Sequence, residues 1–393
     1  MKNIKTIMRR FFKNRPSLFP ANVLFPAKRA GACHLQVLPF SRFSFSCLKM
    51  SALFVASLFF SLFFGFSCGF ANAENDNTEK MRILTKDIEV SLVDGNIALL
   101  PPEAAKNPAE NKEDEKENKD EKSSETDGIR RYRLFIAVPE KPAPKEGFPL
   151  VLLLDGNTTF KPAIRQAPDA VIVAIGYPGD EKKEIVKRRF YDLTSYAPAD
   201  KIPLREGMEA PKTGGEKEFR SIIENKILPE ILMELPVNRD NITFFGHSLG
   251  GLFVMKSFLS AGTHGFATYC AADPSIWWNG HEFMEKLAAY NKPEGLKSRL
   301  LIETSGIKTH HKNVTEPNKK PVKDLHSGPN GKDVSEILRK AKAVDNTFYS
   351  FSDKNHGTML APAIKDCLQF ALNAKNFKPQ TSPANSLQPV EKK

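Results

Sequence analysis

The chain of 393 residues has few cysteines and lacks the common metal-binding patterns. Three of its five cysteines fall within the first 73 residues, and neither a CxxC nor an HExxH motif occurs. The other two, Cys270 and Cys367, could form a disulfide in an oxidising compartment, but two separate buried thiols are the simpler interpretation. We therefore expect neither a metal ion nor a cofactor.

Acidic residues are absent from the first 73 positions, although these hold ten of the 57 Lys and Arg residues. The rest of the chain carries the remaining 47 basic residues against 46 acidic ones, so it is almost neutral. The high isoelectric point thus belongs to the N-terminal segment. No basic patch remains that would indicate a nucleic-acid partner.

Residues 1–73 are predicted to be a leader with a secretory signal peptide. A lysine precedes an uncharged apolar run, and the small residues Ala71 and Ala73 mark a cleavage site before Glu74. The segment before Met50 is unusual for a signal peptide, so Met50 is an alternative start. We expect a periplasmic or secreted protein. The alternative is an uncleaved inner-membrane anchor, because the apolar run nearly reaches the ~20 residues needed to span a bilayer. Membrane contact is expected only in that case.

Composition divides the remainder into four regions. Residues 74–100 form an N-terminal strand region. Residues 101–128 are rich in Pro, Glu, Lys and Asn and almost free of apolar side chains, which predicts a charged, disordered insert. Residues 129–377 contain the apolar runs of one folded domain, and residues 378–393 form a polar tail.

Short apolar runs alternate with amphipathic segments along this domain. Strands are predicted at 86–93, 131–138, 150–154, 171–175, 242–245, 266–271, 298–303 and 347–351, and helices at 216–235, 249–260 and 362–374. Such alternation predicts an α/β fold with a mostly parallel central sheet and helices on both faces.

The motif Gly-His-Ser-Leu-Gly at 246–250 lies between a predicted buried strand and a predicted helix. This is the context of a nucleophile elbow, in which a serine sits on a sharp turn and glycines two residues away make room for it. Ser248 is therefore the candidate nucleophile of an α/β-hydrolase fold. The N–H of Leu249, at the start of the following helix, is the first candidate oxyanion donor.

Chain order supplies two further candidates. The turn Asp-Gly-Asn ends the strand 150–154, so the backbone N–H of Gly156 or Asn157 is the predicted second oxyanion donor. An ordinary β-turn would use the same residues. His356 lies between the last predicted strand and the last predicted helix, where this fold places its catalytic base.

The acid that would orient His356 is the least defined member of the site. It is expected just beyond the strand 298–303, which makes Glu303 the first candidate. A Ser248–His356 dyad without an acid is the second possibility, and Asp333 is the third candidate.

Several motifs together resemble the "putative esterase" family, which includes periplasmic esterases of trilactone catecholate siderophores, S-formylglutathione hydrolase and feruloyl esterases. They are LLLDGN (152–157), RFYDLT (189–194), GGEKEF (214–219), ILPEI (227–231), GHSLGG (246–251), DPSIWW (273–278) and NHG (355–357). The resemblance implies that Trp277 and Trp278 line the pocket and that Arg189 and Asp192 lie near the site, which makes Trp277, Trp278 and Arg189 candidate substrate-binding residues. Core packing by the tryptophans, and an Arg–Asp ion pair that holds the loop, are the alternatives.

These features predict an exported serine esterase that hydrolyses a small-molecule carboxylic ester through an acyl-enzyme. A siderophore ester is the first choice of substrate, and an aryl or short-chain acyl ester is the alternative. A catalytically silent binding protein on a hydrolase scaffold is the competing class of function.

Overall fold

The computed structural model describes residues 80–93, 96–99, 129–167, 169–204, 209–261, 265–291, 294–307, 326–341, 346–372 and 377. The predicted leader 1–73, insert 101–128 and tail 378–393 lie outside the described residues, so these assignments stay predictions. Within the described ranges, no helix is both long enough and apolar enough to cross a membrane.

The described strands form one nine-stranded sheet in the order β2-β1-β3-β5-β4-β6-β7-β8-β9. Their bounds are β1 Met81–Val93, β2 Asn96–Leu99, β3 Ile129–Pro139, β4 Phe148–Leu153, β5 Val171–Gly176, β6 Val237–His247, β7 Thr268–Ala272, β8 Arg299–Ile307 and β9 Asn346–Asn355. The six strands from β5 to β9 in this order are parallel, and β1, β2 and β3 extend the sheet antiparallel. The predicted mostly parallel sheet is confirmed.

Helices cover both faces of this sheet. They are α1 Gly156–Ile164, α2 Lys182–Leu193, α3 Glu216–Ile222, α4 Leu228–Glu234, α5 Leu249–Ser260, α6 Trp278–Ala289, α7 Gly331–Lys340 and α8 Leu360–Leu372. Along β4, Leu150 and Leu152 point into the core formed with α3 to α7, whereas Val151 and Leu153 point into the core formed with α1 and α8. The strands are apolar on both sides because both sides are buried.

The helix predicted over 216–235 is interrupted. A π-helical turn, Ile223–Ile227, separates α3 from α4, and Pro229 lies in the first turn of α4. The sequence pattern did not predict α1, α2, α6 or α7.

Parallel strands end at the same edge of a sheet, and ligand sites of α/β folds form at that carboxyl edge. The carboxyl ends of β4, β6, β7 and β9 are followed by Asp155, Ser248, Asp273 and His356, respectively. The fold therefore brings residues that are 201 positions apart in the sequence to one edge.

Candidate active site

Ser248 occupies the turn between β6 and α5 with φ 61° and ψ −119°, a backbone conformation that side-chain-bearing residues rarely adopt. Glycines permit the close packing around it. A Cβ on Gly246 would lie 2.2 Å from the carbonyl oxygen of Gly250, and one on Gly251 would lie 2.9 Å from that of Ala272. The predicted elbow geometry is present because helix α5 folds back directly onto strand β6.

Backbone hydrogen bonds hold this turn against the end of β7. The N–H of Ser248 donates to Ala272 at 2.9 Å, and the carbonyl of Ser248 accepts from the N–H of Ser275 at 3.1 Å. The Ser248 Oγ lies 3.4 Å from the Ser275 Oγ. As the first residue of α5, directly after Ser248, Leu249 has an N–H without an intrahelical acceptor, which remains a candidate oxyanion donor.

His356 contacts a carboxylate that the sequence reasoning did not select. Its Nδ1 lies 2.7 Å from Oδ2 of Asp273, the residue that follows β7. Asp273 also accepts hydrogen bonds from the Ser305 N–H at 3.2 Å and the Ser305 hydroxyl at 2.7 Å. Burial opposes ionisation of Asp273, but the hydrogen bonds from His356 and Ser305 outweigh burial and lower its pKa below the usual value. Asp273 is thus held as a carboxylate, and Nε2 of His356 is left to exchange a proton.

The prediction of Glu303 as the acid is corrected by this geometry. Along β8 its side chain points to the same face as Leu301, toward α8, where it is only 1% exposed. Burial and the hydrogen-bonded carboxyl of Asp366 raise the pKa of Glu303 well above its usual value. Glu303 instead supports the acid through its backbone, because its carbonyl accepts the N–H of Asp273 at 2.7 Å.

The two other expectations about the acid also fail. Asp333 forms the capping box of α7, in which its Oδ2 accepts the N–H of Asn330 at 2.9 Å. It therefore caps a helix rather than orienting His356. A Ser248–His356 pair without an acid does not describe the site either, since Asp273 occupies the position at Nδ1.

The second predicted oxyanion element lies where β4 meets α1. Asp155 has a left-handed backbone, φ 58° and ψ 44°, and Gly156 and Asn157 open the helix. Their N–H groups belong to the first turn, which has no intrahelical acceptors for them. The Asn157 side chain pairs with the backbone of Tyr177, with its Oδ1 2.9 Å from the N–H and its Nδ2 3.0 Å from the carbonyl. Only backbone donors of this segment therefore remain for a substrate.

Arg189, predicted to bind substrate, is engaged by the protein itself. Its Nε and Nη2 lie 2.7 Å and 3.0 Å from the two carboxylate oxygens of Asp155, and Nη2 also lies 3.3 Å from the carbonyl of His247. The alternative prediction, that Arg189 forms an ion pair with an aspartate, is correct, but the aspartate is Asp155 and not Asp192. Asp192 lies 3.7 Å from Arg188 instead.

The two tryptophans have different environments. Trp278 is fully buried, and its indole N–H donates to the carbonyl of Ser195 at 3.2 Å. For Trp278 the structure supports the alternative prediction, core packing, over a place in the pocket wall. Trp277 is partly buried and packs edge-on against His326, with 4.6 Å between the ring centroids.

No cluster of three or more His, Cys, Asp or Glu side chains able to hold a metal ion occurs in the part of the chain that the structure describes. Cys270 and Cys367 are buried and unbridged. Two unbridged buried thiols, the simpler interpretation of the sequence, therefore describe the structure. Burial and a hydrogen bond with Cys367 raise the pKa of the Cys270 thiol well above its usual value.

Comparison with known proteins supports the chemistry of this site. The family model described as "Putative esterase" matches residues 124–319. The ferri-bacillibactin esterase BesA of Bacillus subtilis (strain 168) is 30% identical over 260 residues, which cover 62% of this chain and 86% of BesA. The apo-salmochelin esterase of Escherichia coli O6:H1 is 29% identical over 249 residues, which cover 62% of this chain and 75% of that protein.

A solved structure gives the same result. The crystal structure of the BES protein from Bacillus cereus is 26% identical and superimposes with a TM-score of 0.51, covering 63% of this chain and 92% of that chain. The sequence matches agree with the sheet topology and with the nucleophile elbow described above. The chain belongs to this esterase family and is a carboxylic-ester hydrolase of the α/β-hydrolase fold.

Proposed function

We propose that the chain is an exported serine esterase that hydrolyses a siderophore ester through an acyl-enzyme on Ser248. The observation that carries the proposal is the 2.7 Å contact between His356 Nδ1 and Asp273, at the same sheet edge as the elbow. A carboxylate at Nδ1 fixes the imidazole tautomer with Nε2 unprotonated and stabilises the imidazolium that forms when Nε2 takes a proton.

In the proposed reaction, Ser248 Oγ attacks the ester carbonyl and His356 Nε2 accepts the hydroxyl proton. The N–H groups of Leu249 and of Gly156 or Asn157 stabilise the oxyanion. His356 then returns the proton to the leaving alcohol, and water releases the acyl group by the reverse sequence. Ser248 Oγ lies 3.4 Å from the Ser275 hydroxyl in the described structure, and the proposed attack requires it to hydrogen-bond His356 Nε2 instead.

Two observations support a siderophore ester as substrate. The relatives named above act on ferri-bacillibactin and on salmochelin, according to their names. In this chain the His356 side chain is 47% exposed, so the base lies at the surface, where it can meet a large macrocyclic ester.

A fluorophosphonate probe tests the mechanism. We expect it to label the wild-type protein at Ser248 and to leave the Ser248→Ala variant unlabelled. Ser275→Ala is the matched control, because it removes the neighbouring hydroxyl and should keep the label. Labelling that persists in Ser248→Ala would refute the assignment of the nucleophile.

Substrate and location need separate measurements. We expect kcat/KM for a trilactone catecholate siderophore to exceed that for p-nitrophenyl acetate. The reverse order would favour the aryl or short-chain ester alternative. N-terminal sequencing of exported protein should begin at Glu74, whereas an intact leader in the membrane fraction would show an anchor.

A further inference from the structure

His247 lies immediately before the candidate nucleophile and contacts the candidate base. Its Nε2 is 2.9 Å from the backbone carbonyl oxygen of His356, and the two imidazole rings are 4.5 Å apart between centroids, tilted by 36°. A carbonyl oxygen only accepts hydrogen bonds, so Nε2 of His247 must carry the proton in this contact.

A second contact holds the backbone of His247. Its carbonyl accepts a hydrogen bond from Nη2 of Arg189 at 3.3 Å, and Arg189 is held by both carboxylate oxygens of Asp155. One continuous chain of polar contacts therefore runs from the oxyanion segment through His247 to the turn that bears His356.

The turn that bears His356 needs such support because the His356 side chain is exposed. Asp273 holds the imidazole of His356 at Nδ1, but this contact does not fix the backbone. Within the turn, Asn355 Oδ1 accepts the N–H groups of Gly357 and Thr358, both at 3.0 Å. The contact from His247 fixes the turn relative to strand β6, and hence relative to Ser248.

We infer that His247 is a positioning residue, whose Nε2–H holds the backbone of His356 so that the base stays aligned with Ser248. This inference rests on the proposed serine esterase function. Burial, together with repulsion from His356, lowers the pKa of His247 to about 4. Near neutral pH the ring therefore holds the turn without adding a positive charge beside a base that must itself become a cation.

Two substitutions separate the hydrogen bond from the ring contact. His247→Gln keeps an N–H donor near the position of Nε2 and lacks the ring, whereas His247→Phe keeps a ring and lacks the donor. We expect His247→Phe to lower kcat on a neutral p-nitrophenyl ester about 10- to 100-fold with KM nearly unchanged, since small misplacements of a catalytic group have effects of this size. His247→Gln should stay within about fivefold of wild type, because its donor preserves the alignment.

Other outcomes overturn the inference. Wild-type rates in His247→Phe with reduced rates in His247→Gln would assign the role to ring packing. Equal losses in both variants, or no loss in either, would show that the hydrogen bond does not position the base.

A measurement on the unmodified protein keeps the inference testable if a variant does not fold. With ¹⁵N-labelled histidine, the NMR spectrum at pH 7 should show His247 as the neutral Nε2–H tautomer, and the Nδ1–H tautomer would refute the contact. This readout does not require activity. Failure of fluorophosphonate labelling in the wild-type protein would instead refute the proposed function.

Discussion

Arg189 and Asp155 form a bidentate ion pair, with N–O distances of 2.7 Å and 3.0 Å, immediately before the first residue of α1. Asp155 has a left-handed backbone that presents Gly156 and Asn157 at the sheet edge. A planar guanidinium that binds both carboxylate oxygens restricts the orientation of this residue more tightly than a single contact would. The pair thus connects α2 to the segment that offers the second oxyanion donor.

Replacing Arg189 with lysine should reduce catalysis more than binding. The ammonium keeps the charge but not the two-point geometry, so we expect kcat to fall about tenfold, with KM for a neutral ester little changed. Steady-state kinetics on a neutral and an anionic ester measure this. Lys187→Met is the control, because Lys187 on the same helix pairs with the exposed Glu184. A higher KM confined to the anionic ester would mean that Arg189 binds substrate instead.

Asp273→Asn and Glu303→Gln form a matched pair that identifies the acid. Asparagine at 273 removes the charge beside His356 and favours the wrong imidazole tautomer, so we expect kcat to fall by about 10² to 10⁴. Glutamine at 303 changes a side chain on the opposite face, so kcat should stay within about twofold. Single-turnover rates on p-nitrophenyl acetate compare them, and a larger loss in Glu303→Gln would restore Glu303 as the acid.

Glu303→Gln should instead change the pH dependence of stability. The pKa of Glu303 is raised in the folded state, so the folded protein keeps a proton that the unfolded chain loses above about pH 4.5. The free energy of unfolding of the wild type therefore decreases as the pH rises above about 4.5, because the folded protein must keep Glu303 protonated. Glutamine, which mimics the neutral acid, removes this decrease. Urea titrations should find the variant more stable than the wild type at pH 8 and similar to it at pH 4. A variant less stable at pH 8 would contradict the neutral carboxyl.

Lys256 is the centre of a buried charge cluster beside α6. Its side chain is 1% exposed, and Nζ lies 2.6 Å from Glu216 and also contacts Glu282. Lys256→Met leaves the carboxylates without their main partner, and breaking a buried pair in this way costs about 3–5 kcal/mol. We expect urea unfolding at pH 7 to show a loss of that size. Adding Glu216→Gln should recover part of it, and no recovery would mean that the loss comes from packing.

The elbow and the histidine were predictable because each depends on local sequence. Gly246 and Gly250 flank Ser248 between an apolar strand and a helix, and His356 follows the last strand. The acid was not predictable from chain order alone. Asp273 follows β7, whereas Glu303 lies within the neighbouring strand β8, and only the register shows that the Glu303 side chain points to the other face.

Two of the unpredicted helices, α1 and α2, lack the signals on which sequence patterns depend. Of the twelve residues of α2, only Asp192 and Leu193 are buried, and Ile185 and Phe190 are partly buried against the core, so its apolar stripe is narrow. Helix α1 begins with residues typical of a turn and contains Pro162. In both, packing on the sheet decides the conformation over local preference.

The position of Asp273 after β7 has a consequence for how the protein can diversify. The candidate nucleophile, the candidate acid and both candidate oxyanion segments all lie between residues 155 and 273, and the proposed chemistry needs only His356 from the rest of the chain. The connection between β8 and α7 carries none of these groups. Mutation can therefore lengthen, shorten or recompose that connection without replacing any group of the proposed reaction centre.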